Sequence, residues 1–277
     1  MNADRPTVDG FGDEWTAFDQ TDLSEAEREK VFEQYFHQFP WKNLGPLAVG
    51  MDLGVGSGRW AMLVTPRVGH LHCVDASEKA LDVARRNLQG AGNCSFHHAS
   101  VDDIPLEDGS LDFGYSLGVL HHVPDTQAGL RACAQKLKPA APFLVYLYYA
   151  FDNRPAWFRA LWKGSDVGRR WISALPFRSR IVVSTGIATF VYWPLARLAR
   201  LLERRGRNVE NLPLAFYRDR SFYVMRTDAL DRFGTRLEQR FTRAQIQQMM
   251  EQAGFEGISF SDSPPYWCAV GYRSSGD

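Results

Sequence analysis

Several features that would classify a 277-residue chain at once are scarce or missing here. The 32 basic and 32 acidic residues cancel, so the formal net charge is zero. The four cysteines lie far apart, at none of the spacings used by zinc sites or redox pairs: Cys73, Cys94, Cys133 and Cys268. No basic segment precedes an apolar run near the N-terminus, and no internal repeat or low-complexity tract is visible. We therefore expect reduced thiols, no metal site and a cytoplasmic location.

The zero net charge conceals an uneven distribution along the chain. Residues 151–240 contain 18 basic and 8 acidic residues, whereas the remainder contains 14 basic and 24 acidic ones. Of the 32 basic residues, 26 are arginine and only 6 are lysine. With 45% apolar and 23% charged residues, the composition is that of a globular protein. The pattern predicts a folded core joined to a basic insertion.

Strand and helix patterns alternate from residue 49 onward. Helix starts are predicted at Ser77, Asp125 and Thr242, and an earlier amphipathic helix follows Ser24. Seven short apolar runs are predicted as strands: residues 49–53, 70–74, 94–99, 111–116, 143–149, 257–261 and 267–272. Strands that are apolar on both faces and alternate with helices favour a parallel sheet. The last two strands are too close in sequence for a crossover, so they should form an antiparallel hairpin.

The predicted fold class is therefore α/β. We expect a doubly wound, Rossmann-like, mostly parallel sheet of seven strands with a C-terminal antiparallel hairpin and a helical cap insertion. Four segments follow: an N-terminal helical segment or lid (1–48), a ligand-binding core (49–150), an Arg- and Trp-rich helical cap (151–240), and a helix and hairpin completing the core (241–277).

The clearest functional motif is the glycine-rich loop in MDLGVGSGRW, residues 51–60. Glycine allows a tight turn and lets a ligand approach the backbone closely. A dinucleotide site would favour a third glycine at position 59, where this chain has Arg59. Asp75 directly follows the next predicted strand, 21 residues after Gly54, where a carboxylate can accept both ribose hydroxyls of an adenosine. The loop therefore predicts a nucleoside ligand without a pyrophosphate.

These residues resemble those of a known enzyme family. The segments DLGVGSG (52–58), SLGVLHHVPD (116–125) and LKPAAPFLV (137–145), together with Asp75, are similar to class I S-adenosylmethionine-dependent methyltransferases, especially the ubiquinone/menaquinone-biosynthesis-like group. The resemblance covers residues 49–150 well and residues 241–273 in outline, but not residues 151–240. It implies S-adenosyl-L-methionine as cofactor and S-adenosyl-L-homocysteine as product.

The resemblance also implies roles for individual residues around the cofactor. Gly54 and Gly56 would contact the methionyl part, and Asp52 would lie beneath its amino group. Asp75 would bind the ribose. Ser100 stands where the family usually has an acidic residue, which puts that adenine contact in doubt. The remaining implied contacts are with the adenine and the sulfonium: Ala76, the backbone of Val101, Asp102 and Leu117.

Three further residues each have two interpretations. Trp15 lies in an aromatic N-terminal segment that either folds over the cofactor, as in similar enzymes, or packs on the core without a lid role. Arg59 either pairs with the cofactor carboxylate or is a solvated helix residue. His122, in the pair that follows the fourth strand, is either a general base or wall of the transfer site, or a structural imidazole.

The basic insertion is the candidate acceptor site. It contains four of the eight tryptophans, and aromatic walls with arginines suit a planar or anionic acceptor. The alternative is a helical cap with tryptophans in its core and solvated arginines. Residues 181–196 carry no charge but are too few to span a bilayer, so we expect a buried cap helix rather than an interfacial anchor. The candidate acceptor contacts are Tyr148, Asn153, Tyr217, Arg218, Tyr223 and Arg226.

The sequence thus predicts a methyltransferase that acts on a small-molecule acceptor by in-line displacement. One alternative is an enzyme of this fold that cyclises or cleaves S-adenosylmethionine itself. Another is a membrane-surface or lipid-acceptor methyltransferase that uses the basic insertion. No nucleic-acid partner is expected, and membrane contact is the lesser alternative. The acceptor atom and the oligomeric state stay open.

Overall fold

Seven strands form a single sheet in the computed structural model, which describes residues 2–275. Positions 1, 276 and 277 of the first and last predicted segments lie outside the described residues. The strands are β1 Val49–Leu53, β2 His70–Asp75, β3 Cys94–His98, β4 Phe113–Leu117, β5 Pro142–Tyr146, β6 Phe255–Phe260 and β7 Ala269–Arg273. Their spatial order is β3-β2-β1-β4-β5-β7-β6. All pairs among β1 to β5 are parallel, whereas β7 is antiparallel to both β5 and β6. The predicted fold class is confirmed.

Helices alternate with these strands and fill the long segment between β5 and β6. They are α1 Arg5–Ala17, α2 Glu25–Phe36, α3 Ala61–Val64, α4 Glu78–Asn87, α5 Thr126–Lys136, α6 Ala156–Ser173, α7 Phe177–Ile187, α8 Trp193–Arg204, α9 Phe222–Gly234 and α10 Arg243–Gln252. Short 3-10 turns lie at Trp41–Asn43, Thr65–Arg67, Leu120–His122 and Ala215–Asp219. A π-helical turn, Ala188–Tyr192, joins α7 to α8.

The described chain divides into two compact units. Residues 2–20, 28–150 and 237–275 form the first unit, which contains the whole sheet. Residues 21–27 and 151–236 form the second unit, which contains α6 to α9. The alternation of strands and helices in the sequence stops at the residue where the second unit begins.

Two apolar clusters hold the first unit together, one on each face of the sheet. One cluster combines β1, β5, α5 and α10, and its fully buried members include Met51, Leu130 and Phe143. The other combines β2, β4, α2 and α4, and includes Phe36 and Tyr115. Burial on both faces explains why the strands read as continuous apolar runs in the sequence.

Predicted helix starts coincide with N-caps in the structure. The Ser77 hydroxyl accepts a hydrogen bond from the Ala80 N–H, and the Asp125 carboxylate accepts one from the Ala128 N–H. Thr242 begins a complete capping box with the third residue of α10. Each side chain satisfies a backbone donor that the helix leaves without a partner.

Helix α1 lies in the predicted N-terminal helical segment, but its bounds were not predicted, because its sequence lacks a clear apolar periodicity and contains two glycines. Asp4 caps it through the Thr7 N–H at 3.1 Å, and Pro6 occupies its first turn. Gly12 is needed for packing, since a Cβ there would overlap the Ser77 hydroxyl. The helix therefore depends on its contact with α4 rather than on local propensity.

In the second unit, α7, the π-helical turn and α8 run continuously from Phe177 to Arg204. One side of this long helix packs on α9, where Ala188, Tyr192 and Ala196 meet Met225 and Ala229. Only 22% of its most apolar window is buried in the structure. The expectation of a buried cap helix for residues 181–196 is therefore wrong, because α9 covers only one side of it.

Candidate cofactor and acceptor site

The glycine loop follows β1 directly and turns beneath the end of β2. Gly54, Gly56 and Gly58 have φ values of +79°, +55° and +79°, which explains the alternating glycines. The N–H groups of Gly54 and Val55 donate to the Val74 carbonyl at 2.7 and 3.2 Å. A Cβ on Gly56 would lie 3.0 Å from the Trp15 indole. A Cβ on Gly54 would overlap the Val119 side chain. Glycine at both positions therefore leaves the backbone without side chains at the carboxyl end of the sheet and lets Trp15 and Val119 approach it closely.

Asp75 ties this loop to the start of α4. Its Oδ2 accepts a hydrogen bond from the Gly56 N–H at 2.9 Å, and its Oδ1 accepts one from the Ser77 N–H at 2.8 Å. Burial raises the pKa of Asp75, while the bonds from Ser77 and Gly56 oppose that rise. A carboxylate oxygen can accept more than one hydrogen bond, so these contacts leave capacity for ribose hydroxyls.

Asp52 lies beside Asp75 at the end of β1 and is 2% exposed. The Tyr115 hydroxyl donates to its Oδ2 at 2.9 Å. Burial raises the pKa of Asp52 to about 8, with Asp75 adding to the rise and with Tyr115 and Arg59 opposing it. A buried carboxyl that is costly to ionise alone is well matched to a ligand that brings a positive charge. The amino group of the implied cofactor is such a charge.

Trp15 and Arg59 meet next to the loop. The Arg59 guanidinium lies 5.9 Å from the centre of the Trp15 ring and 4.3 Å from that of Trp60. Helix α1 carries Trp15 and contacts α4, where Asp13 and Lys79 form an ion pair at 2.6 Å. Pairing of Arg59 with a cofactor carboxylate, and a lid role for Trp15, stay predictions.

The residues implied for the adenine and the sulfonium also lie in the first unit. Ala76 follows β2 directly, and Leu117 is the buried last residue of β4. The side chain of Val101 belongs to the apolar core, so only its backbone is offered to a ligand. Ser100 donates a hydrogen bond to the Asp102 carboxylate, which lowers the pKa of Asp102. Ser100 and Asp102 thus form a polar pair where the family usually has one acidic residue.

Aromatic side chains line the carboxyl ends of β4 and β5. His121 stacks on Tyr148 with ring centres 3.8 Å apart, and Tyr148 lies 5.9 Å from Tyr146. Tyr35 of α2 lies 5.2 Å from both Tyr146 and Trp60. We call His121, His122, Tyr146, Tyr148 and Tyr35 the aromatic wall. It stands at the sheet edge where doubly wound enzymes bind their ligands.

The two histidines of the wall differ in their surroundings. His121 is fully buried, and burial holds the pKa of His121 well below its usual value, so it is neutral. His122 lies 4.8 Å from the Phe11 ring, and its Nδ1 is 2.6 Å from the Leu237 carbonyl oxygen. An Nδ1–H that donates to a carbonyl leaves the lone pair of the neutral ring on Nε2. That tautomer suits a proton acceptor at Nε2.

Sequence reasoning missed Arg240 and Glu238, which lie behind the wall. The Arg240 guanidinium is 5.0 Å from the centre of the Tyr148 ring, and its Nε is 2.8 Å from the almost fully buried Glu238 carboxylate. The neighbouring Gln239 N–H donates to the His121 carbonyl at 3.0 Å. No local motif predicts that residues 238–240 lie near the wall, because their position depends on where the chain re-enters the first unit. Tyr35 and Tyr146 were also missed, since each reads as an ordinary apolar position.

Five candidate acceptor contacts lie in the second unit. Asn153 is exposed, and Tyr217 packs 5.2 Å from the Tyr192 ring. Arg218 Nε lies 2.8 Å from the Glu203 carboxylate and 3.9 Å from that of Asp219. Tyr223 and Arg226 are half-buried on α9. A role for these residues in acceptor binding stays a prediction.

The metal prediction concerns the same region. Within residues 2–275, no group of three or more His, Cys, Asp and Glu side chains is arranged to hold a metal ion.

Comparison with known proteins assigns the core. Residues 51–145, from β1 to β5, match the family model described as a methyltransferase domain. This match and the methyltransferase relatives support a class I S-adenosylmethionine-dependent methyltransferase family for these residues. The resemblance inferred from the glycine loop, Asp75 and the segments after β4 is confirmed, and S-adenosylmethionine is the cofactor of this family.

Relatives of this domain include proteins named for quinone biosynthesis. A ubiquinone biosynthesis O-methyltransferase of Aromatoleum aromaticum is 35% identical over 91 residues, which are 32% of this chain and 39% of the relative. A demethylmenaquinone methyltransferase of Clavibacter sepedonicus is 30% identical over 95 residues, which are 34% and 39% of the two chains. The matches thus span about two-fifths of the relatives' length.

One solved structure shows that the likeness in fold extends further than the likeness in sequence. It is the complex of the Haloferax volcanii Trm112 methyltransferase activator with a candidate methyltransferase. A chain of that complex superposes with a TM-score of 0.50 at 14% identity, covering 95% of this chain and 97% of the other.

The residues of the loop fit the cofactor of the family. Backbone without side chains at Gly54 and Gly56, a buried carboxyl at Asp52 and a carboxylate with spare acceptor capacity at Asp75 match its methionyl, amino and ribose groups. The match is chemical as well as topological, because a cation would stabilise the ionised form of Asp52.

Proposed function

We propose that the protein transfers a methyl group from S-adenosylmethionine to a small molecule with a planar, apolar body. The observation that carries this proposal is the aromatic wall, which borders the carboxyl ends of β4 and β5 next to the glycine loop. Aromatic faces bind planar groups by offset stacking or edge-to-face contact, so side chains of this kind suit a planar acceptor. Relatives named for ubiquinone and menaquinone biosynthesis support an acceptor of this kind.

The chain's own residues act chiefly by binding and positioning. When bound, S-adenosylmethionine supplies an electrophilic methyl group on a sulfonium. Gly54, Gly56 and Asp75 hold the cofactor, and the aromatic wall orients the acceptor and excludes water. Holding two reactants in line lowers the barrier by several kcal/mol without any further catalytic group.

His122 has a second role when the acceptor loses a proton, as a hydroxyl would. Its Nδ1–H is fixed by the Leu237 carbonyl at 2.6 Å, so Nε2 is the atom that accepts the proton. We infer that His122→Gln lowers turnover on hydroxyl acceptors and leaves S-adenosylhomocysteine binding unchanged. An amine acceptor that is already neutral would not need this residue.

The test is transfer of label from methyl-labelled S-adenosylmethionine to a panel of hydroxylated aromatics and amines, read by mass spectrometry together with S-adenosylhomocysteine formation. Tyr148→Ala should lower kcat/KM at least tenfold, or about 1.4 kcal/mol, because it opens the wall. Tyr272→Ala is the matched control, since Tyr272 pairs with Pro142 at the amino end of β5. It should leave kcat/KM unchanged.

Two outcomes would contradict the proposal. Formation of methylthioadenosine without any acceptor would indicate an enzyme that cyclises or cleaves the cofactor. Equal loss of activity in Tyr148→Ala and Tyr272→Ala would show that the aromatic wall does not bind the acceptor.

A further inference from the structure

Exposed apolar side chains are concentrated in the second unit. Among residues 2–275, 14 large hydrophobic side chains are exposed, and all but Leu47 and Phe222 lie between Trp157 and Leu201. This segment is less than a fifth of the chain, so the distribution is far from random. A soluble surface seldom exposes so many large apolar groups together unless it binds something.

Three of these exposed apolar side chains lie along one side of helix α6. Trp157, Leu161 and Trp171 are 53%, 57% and 77% exposed. At 100° per residue, these positions and the intervening Gly164 and Gly168 fall within about 40° of one line along the helix. The stripe therefore has a tryptophan near each end and only small residues between Leu161 and Trp171.

The long helix from Phe177 to Arg204 also has exposed apolar side chains, on the side that α9 does not cover. Val182 is 70% exposed and Phe190 is 81% exposed, and Trp193, Leu198 and Leu201 continue the apolar surface toward its end. We call these residues together with the stripe on α6 the apolar face. Each helix contributes aromatic as well as aliphatic groups to it.

Basic residues are concentrated in the same segment of the chain as the apolar face. Residues 156–207 contain 11 basic and 2 acidic residues. Seven of the basic side chains are exposed: Arg159, Lys163, Arg170, Arg178, Arg204, Arg205 and Arg207. Apolar and aromatic groups accompanied by exposed arginines fit a membrane surface with anionic headgroups, because the two parts match acyl chains and phosphates respectively.

The helix cannot span the bilayer while this unit stays folded. By length and composition alone, the helix from Phe177 to Arg204 is long and apolar enough to cross a membrane, so its packing within the unit decides. Ser184, Ala188, Tyr192 and Ala196 are buried on the side that faces α9, which carries Arg226, Asp228, Asp231 and Arg232. Lipid on all sides would have to replace that packing, so the helix fits the interface rather than the interior.

We propose that the second unit docks on anionic phospholipid membranes through the apolar face, with its arginines at the headgroups. This goes beyond the proposed methyl transfer and does not depend on the identity of the acceptor. It reverses the expectation from sequence that membrane contact is the lesser alternative.

The test is cosedimentation of the purified protein with vesicles of phosphatidylcholine alone or mixed with phosphatidylglycerol. The wild type should partition onto the mixed vesicles, and less so at high salt, because the arginines contribute electrostatically. Trp171→Ser combined with Phe190→Ser should lower partitioning at least about tenfold, since two large side chains no longer enter the lipid. Arg204→Gln with Arg205→Gln should lower partitioning onto mixed vesicles only.

The matched control is Leu47→Ser, which removes an 83% exposed leucine from the first unit and should bind vesicles as the wild type does. All variants should bind S-adenosylhomocysteine equally, so failure of docking is distinguishable from failure of the methyltransferase assignment. Absence of vesicle binding would overturn the proposal. So would a wild-type dimer in sedimentation velocity that Trp171→Ser with Phe190→Ser converts to a monomer, because the face would then be an interface between two copies.

Discussion

Two carboxyl groups near the glycine loop differ in what holds them. Asp75 accepts backbone hydrogen bonds from Gly56 and Ser77, whereas Asp52 has the Tyr115 hydroxyl. Asp75 therefore shapes the loop even without ligand. Asp52 is a buried carboxyl group whose ionised form a bound positive charge would stabilise. The two residues should respond to substitution in different ways.

Substitution of Asp75 should weaken the cofactor product. We expect Asp75→Ala to lower S-adenosylhomocysteine affinity by about 1.5–3 kcal/mol, because charge-assisted hydrogen bonds to the ribose and the hold on the Gly56 N–H are lost together. Asp75→Asn keeps one acceptor oxygen and should lose less. Calorimetry reads the affinities, and unchanged binding in a folded Asp75→Ala variant would remove the ribose assignment.

Cofactor binding should release a proton from Asp52. Because the pKa of Asp52 is raised to about 8, this carboxyl is mostly protonated near neutral pH, and a bound ammonium group should ionise it. Calorimetry in buffers of different ionisation enthalpy should detect the released proton near neutral pH. The release should vanish well above pH 8 and in Asp52→Asn. Equal proton release by Asp52→Asn would assign it to another group.

The histidines at the β2–β3 edge should make stability depend on pH. Burial lowers the pKa of His72 from 6.5 to about 4, with His70 and His97 adding to the effect. The unfolded chain therefore takes up a proton before the folded one does. Stability should be full above pH 6.5 and fall as the pH drops toward 4. His72→Gln should flatten this dependence in denaturant unfolding at several pH values, and an unaltered slope would contradict it.

At the scale of elements, α1 tests whether the N-terminal segment acts on the cofactor. Trp15 lies against Gly56, and Gly12 fixes the helix on α4. Trp15→Ala should speed the release of S-adenosylhomocysteine in stopped-flow measurements if the indole covers the loop. Lys79→Ala removes only the exposed ion pair between Lys79 of α4 and Asp13 of α1, which contributes little, and is the control. Similar release rates in both variants would show that α1 packs on the core without covering the cofactor.

The elements also show which signals a sequence carries. Helices α4, α5 and α10 were predicted because their caps and apolar periodicity are local. The bounds of α1 were not predicted, because this helix packs on α4 through contacts that no local pattern records. The glycine loop and Asp75 were identifiable for the same reason as the caps, since each marks its own backbone conformation.

At the scale of the whole molecule, the apolar face shows that composition alone does not predict whether an apolar helix is buried. A 16-residue charge-free stretch reads alike whether it is buried or exposed. What decides is how much of the helix its neighbours cover, and α9 covers one side only. The positions of Arg240 and Glu238 could not be predicted from local sequence either. These residues lie behind the aromatic wall only because the chain returns to the first unit after the second unit.

The central claim is that the glycine loop, Asp52 and Asp75 of the first unit form an S-adenosylmethionine site. Calorimetric titration of the wild-type chain with S-adenosylhomocysteine and, separately, with NADH tests it most directly. We expect one S-adenosylhomocysteine bound per chain, weakened in Asp75→Ala, and no measurable binding of NADH. Tight binding of NADH, or no binding of S-adenosylhomocysteine by the folded protein, would contradict the account.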